Sequence, residues 1–589
     1  MKTTYLYGLT ALAAALTLSS CEDMFGDFLD KQASNELTED DVFGDWANVE
    51  QFHYDTYNFL RHGAARIGDS WLDAATDIAE TSFATGGVRN TFNIGNYYGG
   101  GDELEGTWES RYRGIRKCNM IINRMVNVPR ALDISEEKFT ADTARVVAEA
   151  HFFRAYFYWE LFLRYGAVPI VTEVLDPDGD LLTGYTERPT LKAFVVDFIL
   201  KELKNCEANL YTYDEAWNKK NAGRVSQPAA RALRSRIMLY MASPRYAKES
   251  GITWAEAAEV SKSFIDDFGS NFELVNEGSD GVSAYTNAWL RTTYTGENKE
   301  IIFFRNDGTI NWGNISVDTP VGEGGRGGNC PSQNLVDMYD MIDGSSPFTE
   351  YDATGAPVYD ANGNPTINTA SGYTDANMWE NRDGRLASTV LWHGRVWGQA
   401  TDTKSNVLNM IIGQRDNPIG NANATPTGYY MCKYIPETIL SSNHGGSAYR
   451  LWIISRYAEI LLNYAEALNE VDGPTSEVCE LLDQIRHRAG ITGNVTDRTD
   501  LNTKEAMRNF IRKERTIEFA YEEHRAWDVR RWGVATEALT RPIYGVEISA
   551  EGIPTRKVAQ KRVFEDKMYL YPIPEGEVWK TSIENNPGW

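Results

Sequence analysis

Residues 451–470 read LWIISRYAEILLNYAEALNE. Ile454, Tyr457, Ala458, Leu461, Ala465 and Leu468 recur at steps of three or four, with Arg456, Glu459, Asn463 and Glu466 between them. That is the period of a helix with one buried face. Gly473 and Pro474 break the pattern. Residues 476–490, SEVCELLDQIRHRAG, repeat it with a stripe of Val478, Leu481, Leu482, Ile485 and Ala489. Gly490 suits a left-handed C-terminal stop. A third run opens at NTKE, where Asn502 is placed to cap and Glu505 to complete a capping box. It continues through KEAMRNFIRKERTIEFAYEEHRAWDVRRWG to Gly533. Helices joined by short connections cannot bury their stripes singly and stack into arrays. The block 451–533 therefore reads as scaffold.

The remaining bounds come from size, charge and cysteine. A chain of 589 residues has room for a large core and roughly two to three domains. Its 42% hydrophobic and 24% charged content is that of a folded protein. A net charge of −25 disfavours nucleic acid and anionic lipid, because phosphate binding needs a basic surface. Residues 1–20, MKTTYLYGLTALAAALTLSS, carry one lysine and then an apolar run of roughly 13 residues, the length of a signal peptide and too short to span a bilayer. No later stretch is long and apolar enough to span. Cys21 ends the segment LSSC. The other five cysteines (118, 206, 330, 432 and 479) are scattered, include no C-x-x-C, and are expected to be mostly free buried thiols.

Taken in order, residues 21–40 are acidic with few large apolar residues and read as a tether. Residues 41–270 form an N-terminal helical part, with helices expected near 40–62, 108–126, 148–165, 191–210, 226–244 and 254–268. Between the first two lies a Gly-rich aromatic loop, ATGGVRNTFNIGNYYGGGDELEG, at 84–106. Residues 271–450 change texture, with Gly, Asn, Thr, Pro and Asp punctuating short runs. They read as a loop-rich insertion carrying short strands, including a hairpin at VYDANGNPTI (358–367). Residues 451–589 form the C-terminal helical part. The fold class expected is mainly α, a scaffold of helix pairs with an irregular insertion. Loops on a rigid scaffold are where binding usually resides.

Several of these segments carry a resemblance. AEAHFFRAYFYWELFLRYGAVPIV (148–171) resembles the signature helix of the SusD/RagB family, nutrient-uptake lipoproteins of the Bacteroidetes outer membrane. SRYAEILLNYAEALNE with LLDQIRHRAGI, RKERTIEFAYEEHRAWDVRRWG, and YLYPIPEGEV followed by NNPGW resemble its C-terminal segments. CPSQNLVDMYDMIDG (330–344) and ENRDGRL (380–386) resemble its middle motifs. Leu18-Ser19-Ser20-Cys21 resembles a lipoprotein lipobox, which implies lipidation of Cys21. Glu22 and Asp23 resemble the surface-export signal of such lipoproteins. The resemblance spans nearly the whole chain in order. It implies tetratricopeptide-like helix pairs and a lipid-anchored protein on the outer membrane, facing the exterior. It also implies a role binding nutrient for a partner TonB-dependent, SusC-like transporter. Relatives favour glycans, while the RagB branch handles peptides, so both ligand classes stay open.

No catalytic constellation stands out, so the chain reads as a binding protein and not an enzyme. The seven histidines form no H-E-x-x-H or other close metal pair, and neither a G-x-S-x-G elbow nor a phosphate-binding loop is present. A glycosidase needs two carboxylates about 5–9.5 Å apart in space. With 83 acidic residues such a pair can always be drawn, so the count decides nothing. No cofactor or metal is called for. Asp360-Ala-Asn362-Gly-Asn364 begins like a calcium loop, but Pro365 and Ser371 stand where Gly and Glu are needed, so it reads as the hairpin. Structural calcium elsewhere stays open. The charges Glu514, Arg515, Glu518, Glu522, Arg525, Asp528, Arg530 and Arg531 read as an ion-pair lattice within and between helices, and Asp77 has no assigned role. Sugars lay their C–H faces on aromatic rings, while Asn, Asp, Gln and Arg reach their hydroxyls. The ligand-binding candidates are therefore loop aromatics and a polar neighbour: Phe92, Asn96, Tyr97 and Tyr98 in the 84–106 loop, and Trp289, Tyr294 and Trp312 in the insertion. The anchor is directly testable. Cys21→Ala should move the protein out of the membrane fraction on cell fractionation, and unchanged retention would contradict lipidation at that residue.

Overall fold

The computed structural model describes residues 38–589 apart from 65–66, 85–86, 100–105, 177–178, 181, 218–219, 291–297, 399, 402–404 and 441–444. The signal peptide, Cys21, most of the tether and Tyr294 lie outside the described residues. The principal helices are α1 (Trp46–Tyr54), α2 (Thr107–Arg124), α3 (Glu136–Tyr165), α4 (Leu200–Cys206), α5 (Gln227–Ala242), α6 (Trp254–Phe268), α7 (Tyr457–Asp472), α8 (Ser476–Arg488), α9 (Lys504–Glu518), α10 (His524–Arg531) and α11 (Glu575–Thr581). Local chemistry sets their ends. Asp45 accepts the N–H groups of Ala47 and Asn48 ahead of α1. Ser226 caps α5, with Pro228 in its first turn, where no N–H is missed. Thr253 and Glu256 make a reciprocal capping box on α6. α3 stops at Gly166, φ +72°, a conformation that suits glycine. Each helix packs on the next: α2 on α3, α3 on α4, α4 on α5, α5 on α6, α6 on α7, and α7 on both α8 and α9. The stacked array therefore continues across the insertion, and one buried core runs through all three parts of the chain.

The strands are β1 (Ala79–Thr81), β2 (Ile301–Asn311), β3 (Asn329–Pro331), β4 (Val390–Leu391), β5 (Tyr430–Met431), β6 (Ser447–Arg456), β7 (Ile543–Ile548) and β8 (Pro554–Gln560). Among the described residues they form four antiparallel pairs: β1 with β3, β2 with β6, β4 with β5 and β7 with β8. The first two pairs tie the insertion to the N-terminal loops on one side and to the C-terminal helices on the other. The 358–367 hairpin is present. Tyr359 bridges Pro365, Gly363 takes φ +83°, and the Asp360 carboxylate accepts the N–H groups of Asn362 and Asn364, a turn use for that side chain. Cys118, Cys206, Cys330, Cys432 and Cys479 are free and buried.

Two readings of the opening stretch need correcting. Residues 451–456 are not helical. They are the inner half of β6, paired with β2 from Ile301↔Arg456 onward, and the helix starts only at Tyr457. A short continuous apolar run buried on both faces carries no period that separates strand from helix, and Ile454 fell on the helical spacing by coincidence. The third run is also not one helix. Thr503, not Asn502, caps α9, and the chain breaks after Glu518. Tyr521 and Glu523 take φ +63° and +67° before α10 begins. The cause is distant: the buried Asp73 carboxylate accepts the N–H groups of Tyr521 (3.0 Å) and Glu523 (3.2 Å).

The charge lattice exists, and it is buried. Glu514, Glu518 and Glu522 lie four residues apart and face inward. Arg385 reaches Glu514 (2.8 Å) and Glu518 (3.0 Å). Arg486 reaches Glu514 (2.6 Å), Arg456 reaches Glu518 (2.6 Å) and Glu522 (2.8 Å), and Lys433 reaches Glu522 (2.7 Å). Glu300 pairs with Arg456 and Arg488, and Arg488 also pairs with Glu518. Asp77 is buried against Arg525 (2.7 Å) and Arg541 (3.3 Å), a structural role. Burial alone would raise the Glu518 carboxyl, but Arg488, Arg456 and Arg385 more than offset it and hold it well below the usual range.

Removing one member of such a group leaves its partners buried and uncompensated. Glu518→Ala should cost about 3–5 kcal/mol in urea unfolding, whereas Lys262→Ala, which removes an exposed pair with Asp266, should leave the midpoint unchanged. Equal effects would contradict the lattice as the source. Burial pushes the Asp73 carboxyl up to about 7. The folded chain therefore holds this proton more tightly than the unfolded chain, whose value is near 3.9. The stabilisation it contributes is full below about pH 4 and is lost as pH rises through about 7. Asp73→Asn should flatten that part of the stability–pH curve, and an unchanged slope between those limits would contradict the assignment.

Candidate functional site

The Gly68–Asp69 turn, the start of the 84–106 loop and the Gly-rich loop before β3 meet at one place. Gly68 and Asp69 both take positive φ (+53° and +67°), and Ile67 and Ser70 exchange hydrogen bonds across them, a two-residue hairpin of the type I′ pattern. The turn is fixed from below by Trp71. Its backbone N–H donates to the Asn329 side-chain oxygen (2.9 Å) and its indole N–H to Asp318 (2.9 Å), while the Asn329 amide donates to Asp318 (2.6 Å). Burial raises the Asp318 carboxyl, against these donors. The Trp71 ring lies edge-on to Trp452 (5.3 Å) and Tyr521 (6.1 Å), and Tyr434 joins the same cluster. A rigid aromatic floor thus lies under the surface.

On that surface Arg326 is the central side chain. Its guanidinium pairs with Asp69 (2.9 Å) and lies 4.7 Å from the centre of the Phe83 ring. The Arg326 and Asp69 side chains remain 47% and 48% exposed. The backbone around them is tightly held. Ser82 N–H donates to the Gly328 carbonyl (2.8 Å), the Ser82 hydroxyl donates to the Arg326 carbonyl (3.0 Å), and Arg326 N–H donates to the Ser316 carbonyl (2.8 Å). Ser316 N–H in turn donates to the Trp312 carbonyl (2.8 Å), so half-buried Trp312 sits one helical turn away, capped by Asn311. Gly327, φ +74°, admits no side chain: a Cβ there would lie 2.1 Å from the Asn423 carbonyl oxygen. The patch thus offers an oriented guanidinium, a carboxylate and an aromatic ring. That is the chemistry that grips an oligosaccharide, hydrogen bonds to hydroxyls beside apolar ring faces.

The structure separates the sequence candidates. Trp312 is half-buried and is linked to the patch through the backbone of Ser316. Trp289 is buried beneath it, 5.5 Å from Tyr434, and supports the floor. Phe92 and Tyr97 are buried as well. They pack edge-on against each other and against Tyr571, and Tyr97 stacks on Trp589, so these rings plug the C-terminal tail into the loop and present no face to solvent. Apolar rings in a Gly-rich loop are as readily plugs as platforms, which the sequence alone cannot separate. Asn96 is exposed and Tyr98 is 51% exposed. Both lie at the far end of the loop, where the Gly99 carbonyl accepts the N–H of Glu575 at the start of α11. Asp69, Phe83 and Arg326 were missed. The available signals were a lone arginine in GEGGRGG and a Gly–Asp turn ahead of a tryptophan.

This loop-built polar and aromatic face sits on a stacked-helix scaffold of the tetratricopeptide-like class. The chain belongs to the SusD family. Residues 276–589 match the family model described as SusD family, and residues 27–239 match one described as starch-binding associating with outer membrane. Among curated relatives, SusD-like protein P25 of Formosa agariphila is 24% identical over 541 residues, 88% of each chain. SusD-like protein P2 of the same organism is 30% identical over 165 residues, 27% of this chain and only 30% of P2. Among solved structures, a SusD-like protein from Bacteroides fragilis superposes with a TM-score of 0.75 at 27% identity, covering 95% of this chain and all of that one. A second B. fragilis structure gives 0.69 at 24% identity, covering 91% and 98%.

Proposed function

We propose that this protein is a non-enzymatic, lipid-anchored glycan-binding protein of the outer membrane, facing the exterior, that delivers oligosaccharides to a partner SusC-like, TonB-dependent transporter. The observation that carries the glycan reading is Arg326, held half-exposed on Phe83 and Asp69. A cation pre-oriented by a ring and a carboxylate loses little freedom on meeting a sugar hydroxyl. Two structural neighbours support the ligand class: the second B. fragilis structure is described as a SusD-like carbohydrate-binding protein, and another neighbour, 20% identical, as a laminarin-binding SusD-like protein. Among its described residues the patch offers one carboxylate, Asp69, already paired with Arg326, whereas glycosidic hydrolysis uses two. The outer-membrane location is supported by the family description and by the LSSC segment.

The decisive measurement is calorimetry against a panel of neutral oligosaccharides and a panel of peptides. At least one oligosaccharide should bind saturably, and Arg326→Ala and Trp312→Ala should each weaken it about tenfold or more. Tyr97→Ala should lower thermal stability and leave affinity nearly intact. Binding by peptides alone would replace this reading with a RagB-like one, and release of sugar products would replace it with a hydrolase.

A further inference from the structure

A second cleft, sharing no residue with the Arg326 patch, has a charge opposite to that of the whole chain. It lies where the C-terminal end of α3 and the segments 188–192 and 245–249 meet the tail at Leu570 and Pro587, and it encloses about 880 Å³. That is within the range of roughly 300–1,000 Å³ typical of ligand pockets. Three cations line it, Arg188, Lys192 and Arg245, against one carboxylate, Glu249. The chain as a whole carries −25.

None of the three cations forms an ion pair among the described residues. Arg188 spends its hydrogen bonds on carbonyls: Nε to Ala167 (2.7 Å), Nη2 to Tyr165 (2.7 Å) and Nη1 to Glu584 (3.3 Å). It thereby places its charge at the C-terminal end of α3, where a cation is favoured by the helix dipole, and Glu584 acts on it through space. Arg245 is exposed and lies 4.1 Å over the Tyr569 ring and 5.9 Å from the Tyr246 ring. The Tyr569 ring holds its guanidinium in place and the Tyr246 side chain hydrogen-bonds it, and its remaining N–H groups face no carboxylate and are available to an anion. Lys192 is exposed at the rim. Leu570, Pro587 and Tyr246 supply apolar surface beside these charges. On a strongly acidic protein, unpaired cations in a concave site focus a positive potential that a neutral sugar would not use.

We propose that this cleft receives the carboxylate or sulfate of an acidic saccharide, with Arg245 and Lys192 as its anion-binding groups and Arg188 as a fixed background charge. The inference rests on the glycan reading above and names a ligand class for a separate site. The test is calorimetry on the full chain with four probes: trigalacturonic acid, its neutral methyl ester, a sulfated disaccharide, and sodium sulfate alone. The trigalacturonate or the sulfated sugar should bind about tenfold more tightly than the ester. That binding should weaken with added salt and fall about tenfold in Arg245→Gln/Lys192→Gln, while Arg326→Ala leaves it intact. Arg188 is left in place because it caps α3. Thermal melting of the double variant should match wild type, which separates lost binding from lost fold. Equal binding of acid and ester, no binding by either charged sugar, an unaffected double variant, or sodium sulfate binding as tightly as the sugars would each overturn the proposal. Neutral glycans binding at the Arg326 patch without any charged sugar binding would sink this inference alone. Charged sugars binding here while no neutral glycan binds would sink the assignment of the patch alone.

Discussion

Three buried glutamates spaced four residues apart, Glu514, Glu518 and Glu522, set the terms for the rest of the molecule. They face inward at the junction of the helical array and the insertion, and water cannot solvate them there. Each must be met by a cation, and the cations arrive from different parts of the chain: Arg385 and Lys433 from the insertion, Arg456 from the end of β6, Arg486 and Arg488 from α8. Displacing any of these segments would leave a charge buried without its partner, at a cost of several kcal/mol. The lattice thus restricts the insertion, irregular as it is, to one docking arrangement on the helices.

That restriction propagates to the surface through short steps. The turn after α9 carries Glu522 into the lattice and presents the N–H groups of Tyr521 and Glu523 to Asp73. Asp73 lies two residues after Trp71, whose two N–H groups hold Asn329 and Asp318. Asn329 begins β3, and the glycines just ahead of it deliver Arg326 to the surface beside Phe83. The exposed guanidinium is therefore positioned by buried groups, each with its partner, back to the centre of the molecule.

Much of the scaffold was legible in the sequence. α2, α5, α6 and α8 show their stripes and stops openly, because amphipathic period, capping residues and terminal glycines are local signals; α3 showed its stop at Gly166 but begins at Glu136, ahead of the expected 148. The strand at 451–456 was not legible, because an apolar run buried on both faces fits either element until its pairing with β2 is known. The break after α9 was not legible because its cause is a carboxylate far away in sequence. The candidate patch was barely legible. Exposure of a ring is decided by tertiary packing: Phe92, Tyr97 and Trp289 went inside, and Asn96 and Tyr98 lie at the far end of their loop. Arg326 gave only a faint signal, since its partners Asp69 and Phe83 are joined to it by folding alone.

The ties that build the platform also bear on the order in which the protein assembles. The helical array grows largely from neighbours in sequence. Four ties at the platform span far more chain: 244 residues from Ser82 to Arg326, 257 from Asp69 to Arg326, 258 from Trp71 to Asn329, and 448 from Asp73 to Tyr521. Bringing such distant segments together carries the larger loop-closure entropy, and folds rich in such contacts form slowly. Loop-closure entropy thus favours the ladder of helices forming before the Arg326 platform, so helix content is a poor gauge of whether that platform has formed.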